Sequence, residues 1–383
     1  MTILQGTIAD QSVCEAAGPG QIVLVLQGGG ALGAYQGGVY EALHEAGIKP
    51  DWIIGTSIGA INASLIAGNK AQERLPKLQE FWRRVRRKPT LGLPFPWPEL
   101  HEPISSWITL INGVPGLFRP NPHALLGAHF PLGTEQAGFY STSPLETTLS
   151  EFVDFSLLNN CSTRLTVGAA NVRTSEMHYF DTREMPLTMK HVMASAALPP
   201  AFPPVCIDDE YYWDGGILSN SPTEAIFEDY PRRDSLVFGV NVWNPMGPEP
   251  KTMSDVLHRH KDIQYSSRIA SQIVSQQKVH RLRHVISELV GRMPEQVRNT
   301  PEVRDLAGYG CVTRMHVVTL LAPRLDNEGH TKDIDFSPPG IRMRWDAGYV
   351  NTARVLESAP WEKEFDQIEG VILHESTPTD LAA

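Results

Sequence analysis

No stretch of the sequence approaches the ~18 consecutive apolar residues of a helical membrane span. The first twenty residues lack the basic-then-apolar order of a secretory leader. Residence in the cytoplasm is therefore expected. Cysteine is scarce, and the four at 14, 161, 206 and 311 show no C-x-x-C spacing. With no His/Cys cluster of ligand type either, the expectation is free thiols and no metal. Positive charge is in deficit: 33 Lys and Arg stand against 43 Asp and Glu, a net charge of −10. That argues against a general nucleic-acid binder. No internal repeat is present. What remains is a chain of 383 residues, 42% hydrophobic, long enough for one large α/β domain with additions or for two domains.

Glycine is concentrated where it matters. The β-rich run Ile22-Val23-Leu24-Val25-Leu26 leads into Gly28-Gly29-Gly30-Ala31-Leu32-Gly33, and Trp52-Ile53-Ile54 leads into Gly55-Thr56-Ser57-Ile58-Gly59. A helical pattern follows each, about 33–46 and 58–67. Ser57 is thereby expected on a strand-to-helix turn, where Gly55 and Gly59 let the chain bend and hold the hydroxyl out of the fold. Consecutive glycines in the first loop let backbone N–H groups converge without a Cβ in the way, which suits an oxyanion. Both helices point a positive N-terminus at the same region. The first loop also satisfies a dinucleotide fingerprint, which expects an acid about 20 residues on. Asp51 is near that distance, but it stands before Trp52-Ile53-Ile54 rather than at the far end of the strand, so acyl transfer is the better reading. A serine needs a base, and the candidate is Asp214, in the strand-like Tyr211-Tyr212-Trp213-Asp214-Gly215-Gly216-Ile217. Alone, an Asp-Gly pair reads as a turn.

Four segments in order change that weighting: Gly28-Gly29-Gly30-x-x-Gly33, Gly55-Thr56-Ser57-Ile58-Gly59, the Pro-rich Ala194–Pro204, and Asp214-Gly215-Gly216. Over residues 20 to 245 the chain resembles the patatin-like phospholipases. The resemblance implies a three-layer α/β sandwich with a mostly parallel central sheet and helices on both faces. It also implies Ser57 as nucleophile, Asp214 as general base of a Ser-Asp dyad, and the amides of Gly28, Gly29 and Gly30 as the oxyanion hole. Gly55, Gly59, Gly215 and Gly216 support the motifs. No cofactor and no catalytic histidine are implied. One position departs: the family's glycine loop usually carries Arg or Lys where this chain has Leu32. That implies a weaker positive field there, or a preference shifted away from anionic head groups. Residues from about 250 to 370 resemble the helical C-terminal extension of a bacterial subgroup, notably at Asp333-Ile334-Asp335-Phe336-Ser337 and Arg342–Gly348. Some of its members are described as intracellular polyhydroxybutyrate depolymerases. The resemblance therefore leaves three ester substrates open: phospholipid, neutral lipid and hydroxyalkanoate polymer, with peripheral contact to a membrane or lipid granule. A noncatalytic acyl-binding protein is the contrasting class.

The rest of the chain is organised around this. Alternating strand and helix patterns favour a mostly parallel sheet covered on both faces, with 21–245 as the catalytic domain, 250–383 as an accessory region packed on it, and 1–20 as a flexible lead. His316, His330 and His374 follow Asp214, so a triad is open on order alone; none has a supporting motif, and His191 reads as packed or solvated. Ser143-Pro144-Leu145-Glu146 predicts a capping box and a helix start. The proline- and aromatic-rich stretch 89–135 reads equally as an active-site lid or as a loop packed on the body. The basic run after Trp82 reads as a solvated helix end, or as a contact for anionic lipid. Residues 253–290 predict one long or two shorter amphipathic helices serving core packing or a dimer face. Their His280/His284 pair lacks the partners of a metal site.

Overall fold

The computed structural model describes residues 20–86, 109, 111–127, 129–266, 269–325, 328–366 and 368–375, without the side chains of 269–271. The expected lead over 1–19, the proline-rich stretch over 89–108 and the last two basic positions at 87 and 88 lie outside the described residues.

The first half alternates as its hydrophobic runs predict. Strand β1 (Gln21–Leu26) passes through a 3-10 turn over Gly30–Gly33 into helix α1 (Ala34–Glu45). Strand β2 (Trp52–Gly55), helix α2 (Ile58–Ala67) and helix α3 (Arg74–Val85) follow. Short β3 (Arg119–Pro120) and β4 (Tyr140–Ser141) pair antiparallel before helix α4 (Ser143–Phe152). That helix starts where expected but without the predicted capping box. Ser143 is its first residue, no side chain caps it, and the Ser143 amide donates to Ser141 Oγ at 3.3 Å. Then come β5 (Arg164–Asn171), β6 (Met177–Asp181), α5 (Met189–Ser195), β7 (Val205–Ile207), β8 (Glu210–Asp214) and β9 (Ser235–Asn241). The C-terminal region supplies α6 (Met253–Ser266), α7 (Ile269–Arg292), β10 (Met315–Leu321), α8 (Pro338–Ser358) and β11 (Val371–Glu375).

The strands form one mixed sheet in the order β11-β10-β9-β1-β2-β5-β8-β7, with β6 also on β5. From β11 to β5 every neighbour is parallel, whereas β6, β7 and β8 pair antiparallel. The two strands β10 and β11, unforeseen in the sequence, extend the sheet beyond β9, so the C-terminal region is helical in the main and also part of the sheet.

Period-two alternation places side chains on both faces. Leu24, Leu26 and Ile53 enter one core with α1, α2, α3 and α8. Val23, Val25, Trp52 and Ile54 enter another, with Ile226 and Phe227 of the short helix Glu224–Glu228 and Ile273 of α7. Each fully buried aliphatic side chain here contributes roughly 1.5–3 kcal/mol. Helices thus cover both faces, and the fold is a three-layer α/β sandwich.

Chain order reverses across β9-β1-β2, because β1 leads to β2 on one side while β9 leads to β10 on the other. In open α/β sheets, ligands bind at such a switch, beyond the carboxyl ends of the strands. The C-terminal region is locked in by helix contact. A methyl added at Gly348 of α8 would lie 2.0 Å from the Tyr35 carbonyl oxygen of α1. Gly348→Leu is expected to cost at least ~3 kcal/mol, by overpacking against backbone that cannot yield. Urea denaturation checks this, and an unchanged midpoint would refute the close approach.

Candidate active site

Ser57 occupies the turn between β2 and α2, with φ 59° and ψ −126°. A non-glycine residue at positive φ costs of order 1–3 kcal/mol and persists where its surroundings enforce it. Here the enforcement is visible. The Ser57 amide donates to both the carbonyl and the Oγ of Ser195, each at 3.1 Å. Ser195 Oγ in turn donates to the Gly168 carbonyl at 2.6 Å. The flanking glycines supply space: a methyl at Gly55 would lie 2.4 Å from the Gly59 carbonyl oxygen, and one at Gly59 would lie 2.2 Å from the Leu26 carbonyl oxygen.

Asp214 ends β8 and is 1% exposed. Its amide donates to the Ala197 carbonyl at 3.0 Å, which ties it to the Pro-rich segment, and its Oδ1 accepts from the Gly216 amide at 2.7 Å. Its Oδ2 is buried without a hydrogen-bond partner. The Ser57 hydroxyl lies close enough to favour the charged carboxyl, although a formed Ser57–Asp214 hydrogen bond is not present. Such bonds are often long before substrate binds. Burial outweighs the pull of Ser57 and the Gly216 amide and pushes the Asp214 pKa up to about 7.

The glycine loop faces this pair. Gly30 sits at φ 57°, and a methyl there would lie 2.2 Å from the Asp333 carbonyl oxygen. The Gly28 amide is engaged by the Asn220 carbonyl at 3.2 Å. Among the described residues, the amides of Gly29, Gly30 and Ile58 have no partner. These three residues line one cavity with Ser57 and Asp214. It has a volume of about 210 Å³ and walls that include Ile61, Leu117, Phe118, Leu145, Phe202 and Phe336. A larger polar cleft of about 870 Å³, lined by Asp51, Arg164 and Arg183, contains neither Ser57 nor Asp214. Asp51 accepts from the Ile22 amide at 2.8 Å, at the start of β1 and far from any cofactor the glycine loop would hold.

The other sequence candidates are placed elsewhere. No described histidine lines the Ser57 cavity. His191 is buried, and its Nδ1 accepts from the Thr188 amide at 2.8 Å, capping α5. His316 and His374 stack on each other across β10 and β11, and His330 meets Ser254. His280 packs on Phe227, and His284 contacts the Thr313 carbonyl at 2.8 Å. Among the described residues, no group of three or more His, Cys, Asp or Glu is arranged for a metal. Arg83 and Arg84 form surface ion pairs with Glu80 and Glu151, in keeping with a solvated helix end. The described part of 89–135 serves the cavity wall through Leu117 and Phe118, with Phe118 edge-on to Tyr140 and Phe202.

Three supporting residues escaped the sequence reading. Ser195 holds the Ser57 amide, Trp243 Nε1 donates to the Gly28 carbonyl at 2.8 Å, and Asn220 Nδ2 donates to the same carbonyl at 3.1 Å. Ser195 and Asn220 do lie within or just after quoted motifs, which was the available signal.

A family model described as patatin-like phospholipase matches residues 24–227, and a second, described as patatin phospholipase, matches residues 263–367. Lysophospholipase nte1 of Aspergillus terreus is 27% identical over 267 residues, covering 62% of this chain and 14% of that protein. Patatin-like phospholipase domain-containing protein 6 of Homo sapiens is 38% identical over 78 residues, covering 20% of this chain and 6% of that protein. The chain therefore spans a small fraction of the length of these curated relatives, 14% in the first case. Among solved structures, VipD from Legionella pneumophila aligns with a TM-score of 0.37 at 15% identity, over 89% of this chain and 67% of that one.

The raised Asp214 pKa has a stability consequence. A carboxyl whose pKa rises on folding favours the folded state less as pH climbs, because the folded protein resists ionisation that the unfolded chain permits. The penalty is absent below the ordinary aspartate value of 3.8 and grows until about 7. Three pKa units correspond to about 4 kcal/mol. Asp214→Asn is therefore expected to melt above wild type at pH 8, with the gap closing towards pH 4. Calorimetry checks this, and a gap that does not vary with pH would refute the buried-carboxyl assignment.

Proposed function

The chain belongs to the patatin-like phospholipase family, and from that premise we propose that it is a serine acyl-ester hydrolase acting on lipid-like esters, with Ser57 as nucleophile and Asp214 as base. The observation that carries this reading is the unpartnered Asp214 Oδ2 beside Ser57, facing the free amides of Gly29, Gly30 and Ile58 in an apolar cavity.

The chemistry follows from those positions. The Asp214 carboxylate takes the Ser57 hydroxyl proton as Oγ attacks the ester carbonyl. Negative charge develops on the carbonyl oxygen, where preorganised amides stabilise it at no cost in reorganisation. Gly29 and Gly30 are the loop donors, since the Gly28 amide is engaged by Asn220. The protonated Asp214 then passes its proton to the departing alcohol, leaving an acyl group on Ser57. Water, deprotonated by Asp214, attacks that acyl group; the proton returns to Ser57 and the acid leaves. No cofactor enters this scheme. A base with a pKa near 7 is matched to the task, because it is ionised at neutral pH and still a competent proton acceptor.

The apolar walls suit an acyl chain. Ile111, Leu125, Phe130 and Phe139 are exposed on the segment that also supplies Leu117, Phe118 and Tyr140 to the cavity. Exposed apolar side chains beside a lipid-sized cavity support contact with a lipid surface.

Fluorophosphonate labelling and hydrolysis of p-nitrophenyl butyrate, with and without lipid vesicles, test the proposal. Wild type is expected to label and turn over, and Ser57→Ala to lose both, with turnover down by ~10³-fold or more. Wild-type kcat/KM should fall tenfold per pH unit below about 7, because only the Asp214 carboxylate accepts the proton. Folded wild type that neither labels nor turns over would leave a noncatalytic acyl-binding protein as the better account.

A further inference from the structure

We propose that Asn220 is a positioning residue for this hydrolysis, clamping the glycine loop to the Asp214 turn so that the Gly29 and Gly30 amides stay aimed at Ser57. The inference rests on the hydrolase reading above and adds a residue to it.

Asn220 lies six positions beyond Asp214, past the 3-10 turn Gly215–Ile217. Asparagines just after a turn commonly bond to their own neighbouring backbone. This one instead reaches across 192 positions of sequence to Gly28. It grips that residue twice: the Asn220 carbonyl accepts the Gly28 amide at 3.2 Å, and Asn220 Nδ2 donates to the Gly28 carbonyl at 3.1 Å. With Gly28 fixed at both its amide and its carbonyl, the next peptide, which carries the Gly29 amide, has little freedom to turn away from the cavity.

The Oδ1 of Asn220 lies near both nucleophile and base. A methyl placed on Gly28 would lie 2.4 Å from that oxygen and 2.9 Å from Ser57 Cβ. A methyl placed on Gly216 would lie 2.9 Å from the same oxygen and 3.0 Å from Asp214 Oδ1. One side chain therefore spans the space between the oxyanion loop, the serine and the carboxyl. Its neutrality matters as much as its shape, because a negative charge at this place would oppose both the oxyanion and the ionised base. Of the other titratable side chains lining the cavity, Tyr265 and Tyr140 are kept neutral by burial, and Asp333 is paired with Lys261.

The test is steady-state kinetics on p-nitrophenyl butyrate for wild type, Asn220→Ala and Asn220→Asp, with thermal melts to confirm folding. Loosening an oxyanion loop removes stabilisation present only in the transition state, so kcat should fall ~30- to 100-fold while KM stays within about threefold. Asn220→Asp keeps the shape but adds a like charge near Asp214. Its acid limb should move to higher pH, while that of Asn220→Ala stays in place. A variant that merely loosened the fold would not separate the two profiles. Folded variants with kcat within about threefold of wild type, or with the loss confined to KM, would overturn the assignment. If Asn220→Ala does not fold, the same-shaped Asn220→Asp decides. An inert wild type would instead overturn the hydrolase reading and this inference with it.

Discussion

The distance between α2 and β1 governs the site. At Gly59 the helix passes so near the strand that one added methyl would meet the Leu26 carbonyl oxygen at 2.2 Å. At Gly33 a methyl would meet the Ile58 side chain at 2.7 Å. The elbow and the glycine loop are thereby pressed face to face, and the first amides of both turns open on one cavity. Ser57 adopts positive φ where the strand must turn into the helix within two residues at that separation. The local cost of roughly 1–3 kcal/mol is offset by the two bonds from its amide to Ser195 and by the buried parallel pairing of β1, β2 and β5 beneath it.

The carboxyl follows the same logic of proximity at a local cost. A side chain of Asp214's burial folds more readily neutral than charged. One oxygen is held by the Gly216 amide and the other is left without a partner. Leaving a buried acceptor unsatisfied costs ~1–3 kcal/mol, and a fold selected for stability alone would have paired it. Four described histidines lie away from Ser57. His191 caps a helix, His284 meets a carbonyl, and His316 and His374 meet each other. His191 also leaves a buried nitrogen, Nε2, without a partner, but none of these histidines lines the cavity, so Asp214 is the titratable side chain beside Ser57 that retains an unused acceptor.

How much of this was legible in the sequence depended on how local the cause was. The runs Ile22–Leu26 and Trp52–Ile54, the two glycine loops and the helices after them follow from neighbours within a few residues, and they appear where the pattern puts them. The identification of Asp214 needed the company of other motifs, because an Asp-Gly turn looks alike at the surface and in a core. Ser195, Asn220 and Trp243 were not legible, since their bonds reach residues 138 to 215 positions away. The strands β10 and β11 were missed for a related reason. Their place is set by the open edge of β9, far away in sequence. At Ser143 the Ser-Pro-Leu-Glu motif located the helix but not its cap, because Ser141 Oγ already accepts the amide that begins it.

Leu32 is where family pattern and structure must be reconciled. It is buried at 4% exposure in the main core and also touches a small cavity beside Arg324, Lys332 and Arg344. The carboxylate of Asp262 on α6 is fully buried between two cations, accepting from Lys332 Nζ at 2.7 Å and from Arg324 Nη2 at 2.9 Å. Burial lowers the pKa of His258, the other neighbour of Asp262, so that side chain adds no charge at neutral pH. Beside it Arg344 pairs with Glu328 and Asp335, and Lys261 pairs with Asp333, so four cations here stand among four carboxylates. Lys332 Nζ also stands 5.2 Å from the centre of the Trp243 ring, and that ring's N–H holds the Gly28 carbonyl. Buried charges act over longer distances than exposed ones because they are less screened. Cations absent from the loop position at Leu32 therefore stand behind the loop, as Lys332 and Arg324, within a set of ion pairs. Those residues belong to the C-terminal region, whose Asp333 also packs its carbonyl against Gly30. A region that resembles an appendage in sequence is thus structurally a wall of the site.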